Sequence, residues 1–137
     1  MCIRDRTAAL KRNNEEGYEG KYYGTDINPK AGYLLSGGYV DFGSILYGDS
    51  IESLKKFEGT IDLFINDSDH SADYEAEEYV TIATKLSEHA VVLGDNSHST
   101  DKLLEFSLET SRRFIFFQEK PAGHWYPGAG IGISFNR

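Results

Sequence analysis

The sequence predicts an open α/β sheet, doubly wound and mostly parallel, with an antiparallel pair of strands at its C-terminal edge. Short apolar strand patterns alternate with helical patterns along most of the 137 residues, and this alternation indicates parallel strands joined by right-handed crossovers. The connection between the last two apolar runs has no helical pattern, which indicates that these two strands pair in antiparallel fashion.

The first half of the chain carries the patterns of two helices and two strands. Gly17 is the predicted stop of the first helix, because glycine readily adopts the left-handed conformation that ends a helix. Asp49 or Ser50 is the predicted N-cap of the short second helix. In chain order, the predicted elements are a helix over residues 7–16, a strand over 21–27, a strand over 42–47 and a helix over 51–57.

The second half carries four strand patterns and two helical ones. The first of these helices has an apolar stripe at the helical period, and the second opens at Ser99 or Thr100. The predicted strands cover residues 61–66, 90–94, 114–117 and 130–135. The predicted inward-facing residues are Ala76, Tyr79, Val80, Ala83 and Leu86 in the first helix, and Leu103, Leu104, Ser107 and Leu108 in the second.

Acidic or amide side chains follow every strand that is predicted to be parallel. A single acid after a strand commonly caps the next helix, so each one alone is a weak indication of a site. Ligands of open α/β sheets bind beyond the carboxyl ends of the strands, and we expect these side chains to converge on one crevice there. They are Asp26, Asp49, Asp67 with Asp69, and Asp95 with Asn96.

The composition argues against several classes of protein. A formal net charge of -8 argues against nucleic acid binding, which needs a surplus of Lys and Arg. The apolar runs are too short to span a membrane, and no secretory pattern follows Met1. The single cysteine, Cys2, suits a reducing compartment, so the cytoplasm is the expected location.

The order and spacing of these motifs resemble the class I S-adenosylmethionine-dependent methyltransferases, which have a Rossmann-like sheet. The resemblance covers about residues 7–135 and rests on GTDIN, YGDS and INDSDH, with FIFF and GIGISF as the antiparallel edge. It implies that the ribose, adenine and methionine parts of S-adenosylmethionine bind at successive strand ends. The implied cofactor-binding residues are, in that order, Asp26, then Asp49 and Ser50, then Asp67.

Within that class, Asp-x-Asp-His followed one strand later by Asp-Asn resembles the metal-dependent O-methyltransferases of small molecules. These include the catechol type and the macrolide-sugar and aminocoumarin-sugar type. The resemblance implies a small hydroxylated substrate and Mg²⁺ or another divalent cation. The implied metal ligands are Asp67, Asp95 and Asn96, and the implied catalytic residues are Asp69 and His70.

The residue types suit this chemistry. Methyl transfer to oxygen needs a hydroxyl that is bound, aligned and deprotonated, and a hard cation held by carboxylate and amide oxygens serves all three purposes. Oxygen ligands favour Mg²⁺ over zinc, and a carboxylate or an imidazole can take the proton. Asp69 as the N-cap of the next helix and His70 as a plain surface residue stay open as alternatives.

The resembled class opens with a strand and a glycine-rich turn, and the residues before Thr7 do not supply them. That strand would lie at the centre of the sheet, between the strands of Tyr23 and Phe64, and its loss would leave unpaired backbone groups on both. Residues 1–6 also resemble a translated sequencing adaptor. We therefore expect a non-native leader over residues 1–6 and a partial, N-terminally truncated methyltransferase domain over residues 7–137.

Three alternatives to a metal-assisted methyltransferase stay open. A metal-independent methyltransferase of the same fold would use the acids as polar groups only. A phosphoryl-transfer hydrolase would use Asp67 and Asp69, but the sequence offers no convincing lysine beside them. A partial fold that serves as an interaction module would not be an enzyme at all. The oligomeric state is open, and a homodimer is compatible with the sequence.

Overall fold

The computed structural model describes residues 3–69, 71–125 and 128–136. They form two compact units, of which the first ends at Ser53 and the second begins at Leu54. Within the described residues, no helix is long and apolar enough to cross a membrane.

The first unit pairs two strands in parallel. The register places Tyr22 opposite Gly43 and Asp26 opposite Tyr47, so the carboxyl ends of these strands meet at one edge. Parallel pairing confirms the prediction from the strand–helix pattern. The elements are helix α1 (Ile3–Glu15), strand β1 (Tyr22–Asp26), a 3₁₀ helix (Gly37–Phe42), strand β2 (Gly43–Tyr47) and helix α2 (Ser50–Lys56), which continues into the second unit.

Helix α1 begins earlier than the sequence pattern predicts. Its first turn includes Ile3, and the Oγ1 of buried Thr7 donates to the Ile3 carbonyl oxygen at 3.0 Å. Residues 3–6, which belong to the predicted non-native leader, form the first turn of this helix. At the other end Gly17 adopts a φ of 90° and Tyr18 N–H donates to the Asn13 carbonyl at 2.9 Å. This left-handed closure confirms Gly17 as the helix stop.

The second unit is a four-stranded sheet in the order β3-β4-β6-β5. Strands β3 and β4 are parallel, whereas β6 pairs antiparallel with both β4 and β5. The antiparallel C-terminal edge is thus confirmed. The elements are β3 (Ile61–Asn66), α3 (Ala72–Ile82), a 3₁₀ turn (Ala83–Lys85), β4 (Leu86–Gly94), α4 (Lys102–Glu109), β5 (Arg113–Gln118) and β6 (Gly130–Phe135).

The core of the second unit lies between α3, α4 and one face of this sheet. Tyr79 and Phe106 stack with ring centroids 5.4 Å apart, and Phe64 and Phe114 of the sheet pack against this cluster. The fully or largely buried members are Leu54, Tyr79, Ile82, Val92, Leu103 and Phe106.

The helix faces differ from the predicted ones. Val80 and Leu108, predicted to face inward, are 68% and 69% exposed. Leu86 is not helical but begins β4, because α3 ends at Ile82 and a 3₁₀ turn follows it. The inward positions of α3 are taken by Glu75 and Glu78 together with Tyr79 and Ile82. Apolar periodicity misplaced this face because two of its four buried side chains are carboxylates.

Candidate active site

The carboxyl ends of β3 and β4 form the edge of the second unit at which the predicted catalytic residues lie. Asn66 is the register partner of Gly94, and Asp95 N–H donates to the Asn66 carbonyl oxygen at 3.1 Å. Neighbouring strands are about 4.8 Å apart, so Asp67 and Asp95 leave the sheet side by side. We call this edge, with residues 66–69, 71 and 94–100, the β3–β4 rim.

The loop after β3 exposes both of its predicted acids. Asp67 and Asp69 lie at the surface, and the Asp69 Oδ1 accepts the backbone N–H of Ser71 at 2.7 Å. This bond closes a local turn two residues long, and Ser71 occupies the N-cap position of α3. The interpretation of Asp69 as the N-cap is therefore wrong. His70 lies outside the described residues.

The loop after β4 is folded around Asn96. Its carbonyl oxygen accepts the N–H groups of Ser99 and Thr100 at 2.7 and 3.0 Å, and the residue is 2% exposed. The side chain of His98 is exposed, with its Nδ1 at 3.2 Å from the Asp95 carbonyl oxygen. This turn delays α4, which begins at Lys102 and not at Ser99 or Thr100 as predicted.

Helix α3 underlies both loops with two buried glutamates that the sequence interpretation missed. Glu78, 2% exposed, accepts hydrogen bonds at its Oε2 from the Asn66 Nδ2 at 2.5 Å and the Ser68 Oγ at 2.6 Å. These two donors flank Asp67 in the sequence. The Asn66 Oδ1 is buried and accepts no hydrogen bond from the residues that the structure describes.

Glu75 makes the equivalent connection to the second loop. It is 0% exposed, and its two oxygens accept the hydroxyls of Tyr79 at 2.7 Å and Thr100 at 2.5 Å. Burial raises the pKa of the Tyr79 phenol far above its usual value, and the hydrogen bond to Glu75 and the charges of Glu75 and Glu78 raise it further. The phenol therefore stays protonated and serves as a permanent donor to Glu75.

One signal in the sequence could have found the two glutamates. Glu75, Glu78, Tyr79 and Ile82 are spaced i, i+3, i+4 and i+7, which is the spacing of one helical face. A buried carboxylate requires hydrogen-bond donors. The hydroxyl and amide side chains in the flanking loops could supply them, which favours the helix face that carries the two glutamates as the buried one. A criterion based on apolar residues alone selects the adjacent face of the helix instead.

The corresponding edge of the first unit, the β1–β2 rim, holds the acids implied to bind the cofactor. The Asp26 Oδ1 accepts the N–H of Asn28 at 2.8 Å, and its carbonyl oxygen accepts the N–H of Gly48 at 2.9 Å. The Asp49 Oδ1 accepts the N–H of Glu52 at 2.9 Å, which confirms Asp49 as the cap of α2. Ser50 is 6% exposed within the first turn of that helix.

Each sheet thus brings together its own predicted residues: Asp26 with Asp49 in the first unit, and Asp67 with Asp95 and Asn96 in the second. In residues 3–69, 71–125 and 128–136, no group of three or more His, Cys, Asp and Glu side chains is arranged to hold a metal ion. The β3–β4 rim offers two carboxylates and one amide, and these oxygen donors fit a hard divalent cation by type.

The sequence and the fold have counterparts among known proteins. The sequence matches a methyltransferase domain family over residues 6–97, which is more than half of the chain. The chain therefore belongs to this methyltransferase domain family. No curated protein matches it.

Solved structures of low sequence identity share the fold. A precorrin-6y C5,15-methyltransferase from Geobacter metallireducens has a TM-score of 0.64 at 12% identity, covering 96% of this chain and 76% of its own. A candidate O-methyltransferase from Klebsiella pneumoniae has 0.62 at 14%, covering 87% and 63%. A candidate methyltransferase from Streptococcus mutans in complex with SAH has 0.58 at 12%, covering 91% and 81%.

These matches confirm the predicted fold class, a Rossmann-like methyltransferase sheet. This chain spans less than two thirds of the Klebsiella protein. Within the described residues, the strand order is β1-β2 in the first unit and β3-β4-β6-β5 in the second.

Proposed function

We propose that this chain performs S-adenosylmethionine-dependent methyl transfer to a hydroxyl of a small molecule, assisted by Mg²⁺ or another divalent cation. The observation that carries the proposal is the β3–β4 rim. Asp67 and Asp95 directly follow the register partners Asn66 and Gly94 in a chain of a methyltransferase domain family. Two carboxylates side by side at the carboxyl edge of a parallel pair suit a bound cation and an acceptor hydroxyl.

The reaction breaks a carbon–sulfur bond, forms a carbon–oxygen bond and releases the proton of the hydroxyl. S-adenosylmethionine supplies the methyl group, and a divalent cation, when bound, lowers the pKa of the acceptor hydroxyl. Asp67 and Asp95 would hold the cation, and Asn96 is a weaker candidate ligand because it is buried. Asp69, whose carboxylate is oriented by its bond to Ser71 N–H, would accept the proton, and His70 is the alternative base from the sequence.

At the β1–β2 rim we assign cofactor contacts to Asp26 and Asp49. Carboxylates at this position would accept hydrogen bonds from ribose hydroxyls and from the adenine amino group. Ser50 is a weaker candidate because it is buried in the first turn of α2. The net charge of -8 supports a small acceptor over a nucleic acid, and we assign the activity to the cytoplasm.

The first test measures stabilisation by ligands. S-adenosylhomocysteine (SAH) and Mg²⁺ are expected to raise the free energy of unfolding together, by about 2.7 kcal/mol when ligand is at a hundred times its Kd. Asp67→Asn should abolish the Mg²⁺ increment. The matched control is Asp62→Asn, which removes another exposed acid from β3, away from the rim, and should leave that increment unchanged.

The same titration distinguishes the alternatives. Stabilisation by SAH that is insensitive to Mg²⁺ and to chelator would select a metal-independent methyltransferase of this fold. The absence of stabilisation by either ligand would contradict the proposal and favour a non-catalytic module.

A further inference from the structure

We propose that Glu78 and Glu75 are positioning residues of the β3–β4 rim: each one fixes one of the two loops that carry the candidate ligand and catalytic residues. This inference rests on the proposed function for its consequence in binding. The inference that the two glutamates position the loops depends only on the contacts that α3 makes.

Glu78 controls the loop after β3. Its Oε2 accepts hydrogen bonds from the side-chain amide of Asn66 and the hydroxyl of Ser68, the residues immediately before and after Asp67. Two bonds that straddle one residue restrict the backbone on both sides of it. The direction in which the Asp67 carboxylate leaves the sheet is therefore set from beneath by a helix that is itself packed in the core.

Glu75 controls the loop after β4. Its Oε2 accepts a hydrogen bond from the Thr100 hydroxyl, and the Thr100 N–H donates to the Asn96 carbonyl oxygen. Its Oε1 receives the Tyr79 hydroxyl, which anchors the carboxylate within the core. The turn over residues 95–100 is thus closed at its far end by a buried acid on the same helix that holds the first loop.

The stability of the fold alone does not account for two buried carboxylates. Burial of an ionised group costs free energy, and an apolar replacement of similar volume is often neutral or stabilising. The donors to the two glutamates include hydroxyls and an amide from the rim and the hydroxyl of Tyr79. Carboxylates in these positions therefore specify loop geometry.

The experiment compares leucine and glutamine at each position. Leucine removes the acceptor, whereas glutamine keeps an acceptor oxygen without the charge. The matched control is Glu77→Leu: Glu77 lies on the same helix but is exposed and forms a surface ion pair with Lys55 at 3.3 Å. The readout is the set of backbone order parameters of residues 66–69, 71 and 95–100, measured by nuclear magnetic resonance.

Glu78→Leu should lower the order parameters of residues 67–69 and 71 from about 0.85 to about 0.6 or below, with residues 95–100 changed little. Glu75→Leu should do the reverse. Both glutamine variants should retain most of the order, and Glu77→Leu should alter neither loop. Folded leucine variants with unchanged loops, or with equal loosening in both loops, would overturn the proposal.

A leucine variant that fails to fold is replaced by a variant of the donor. Ser68→Ala and Thr100→Val remove one hydroxyl each from the same bonds without placing anything new in the core. Each should loosen its own loop only, and if neither does, the proposal is wrong.

The binding readout connects the loops to the proposed function. The Kd for Mg²⁺ in the presence of SAH should rise about tenfold or more in Glu78→Leu, as expected for loss of a residue that orients ligands, and should recover in Glu78→Gln. If the wild-type chain binds neither Mg²⁺ nor SAH, the proposed function fails, while the order parameters still decide whether the glutamates position the loops.

Discussion

Acidic side chains have different structural roles at the two strand-end rims. At the β1–β2 rim, Asp26 and Asp49 bond to backbone N–H groups two and three residues further along the chain. At the β3–β4 rim, the loops are held by Glu78 and Glu75, which come from a helix and reach Asn66, Ser68 and Thr100. The first arrangement is local in sequence, and the second depends on tertiary packing.

This difference separates two ways of fixing an acid at the end of a strand. A local turn or cap satisfies the acid itself, so its carboxylate is partly committed before a ligand arrives. A buried acid beneath the loop satisfies the loop instead, and the surface acid Asp67 is then oriented by its neighbours, whereas Asp69 closes a local turn of its own. The second arrangement suits residues that must hold a defined geometry toward a ligand, since their supporting residues are fixed by packing.

The largest expected effect comes from crowding the packed rim. In Gly94→Ala the new methyl carbon would lie 2.7 Å from the Tyr79 hydroxyl oxygen, 2.9 Å from the Ser97 Oγ and 3.0 Å from the Leu103 Cδ2. Because Tyr79 is held by Glu75, relief requires movement of core atoms. We expect a loss of about 1–3 kcal/mol in the free energy of unfolding, measured by urea denaturation.

The control for this substitution is Gly38→Ala in the first unit. No atom lies within 4 Å of the methyl carbon that it would add, so the free energy of unfolding should change by no more than about 0.5 kcal/mol. Equal effects at the two positions would show that the β3–β4 rim is not packed more tightly than a surface segment.

A second, smaller effect is on the free energy of unfolding at alkaline pH. The raised pKa of Tyr79 means that the folded chain keeps this proton when the unfolded chain, in which the tyrosine pKa has its ordinary value of 10.0, has lost it. The unfolded state then binds fewer protons, so stability from this group is complete below pH 10 and is lost as the pH rises above it. The slope is up to about 1.4 kcal/mol per pH unit.

Tyr79→Phe isolates this contribution from the other tyrosines and from the lysines. The variant should be less stable at neutral pH by about 1 kcal/mol, since Glu75 loses a donor, and its stability should fall less steeply above pH 10. Urea denaturation of both proteins between pH 8 and pH 11 should therefore give converging curves. Parallel curves above pH 10 would contradict the buried Tyr79–Glu75 contact.

Much of the fold follows from features of the sequence that are local. The strand over residues 61–66 and the stop at Gly17 were predicted at their observed positions, because apolar runs and a left-handed glycine act over a few residues. The antiparallel edge of β5 and β6 was predicted from the connection between them, since a connection without a helical sequence pattern leaves few other ways to pair.

The supporting residues of the candidate site could not be predicted in this way. Asp67 and Asp95 were found because strand ends mark the rim of an α/β sheet. Glu75 and Glu78 were not predicted as site residues because they lie on the buried face of α3, where apolar residues are expected. Asn66 is 12 residues from its partner Glu78, and Thr100 is 25 residues from its partner Glu75, so only the folded structure shows that donor and acceptor meet.

The smallest expected effect is at the local rim, where Asp49 caps α2. Asp49→Ala removes the acceptor of the Glu52 N–H and should lower the free energy of unfolding by about 1 kcal/mol, as for other N-cap deletions. Asp49→Asn keeps a side-chain oxygen at the same place and should restore most of that loss. Urea denaturation of the two variants beside the wild type measures the difference.

The asparagine variant also separates the two roles assigned to Asp49. If the carboxylate acts only as a cap, Asp49→Asn should bind SAH as the wild type does. If its charge also contacts the cofactor, as proposed, the variant should be as stable as the wild type yet bind SAH more weakly, by a factor of about ten. A stable variant with unchanged SAH affinity would restrict Asp49 to its local role, and would leave Asp26 as the sole acid assigned to the cofactor at the β1–β2 rim.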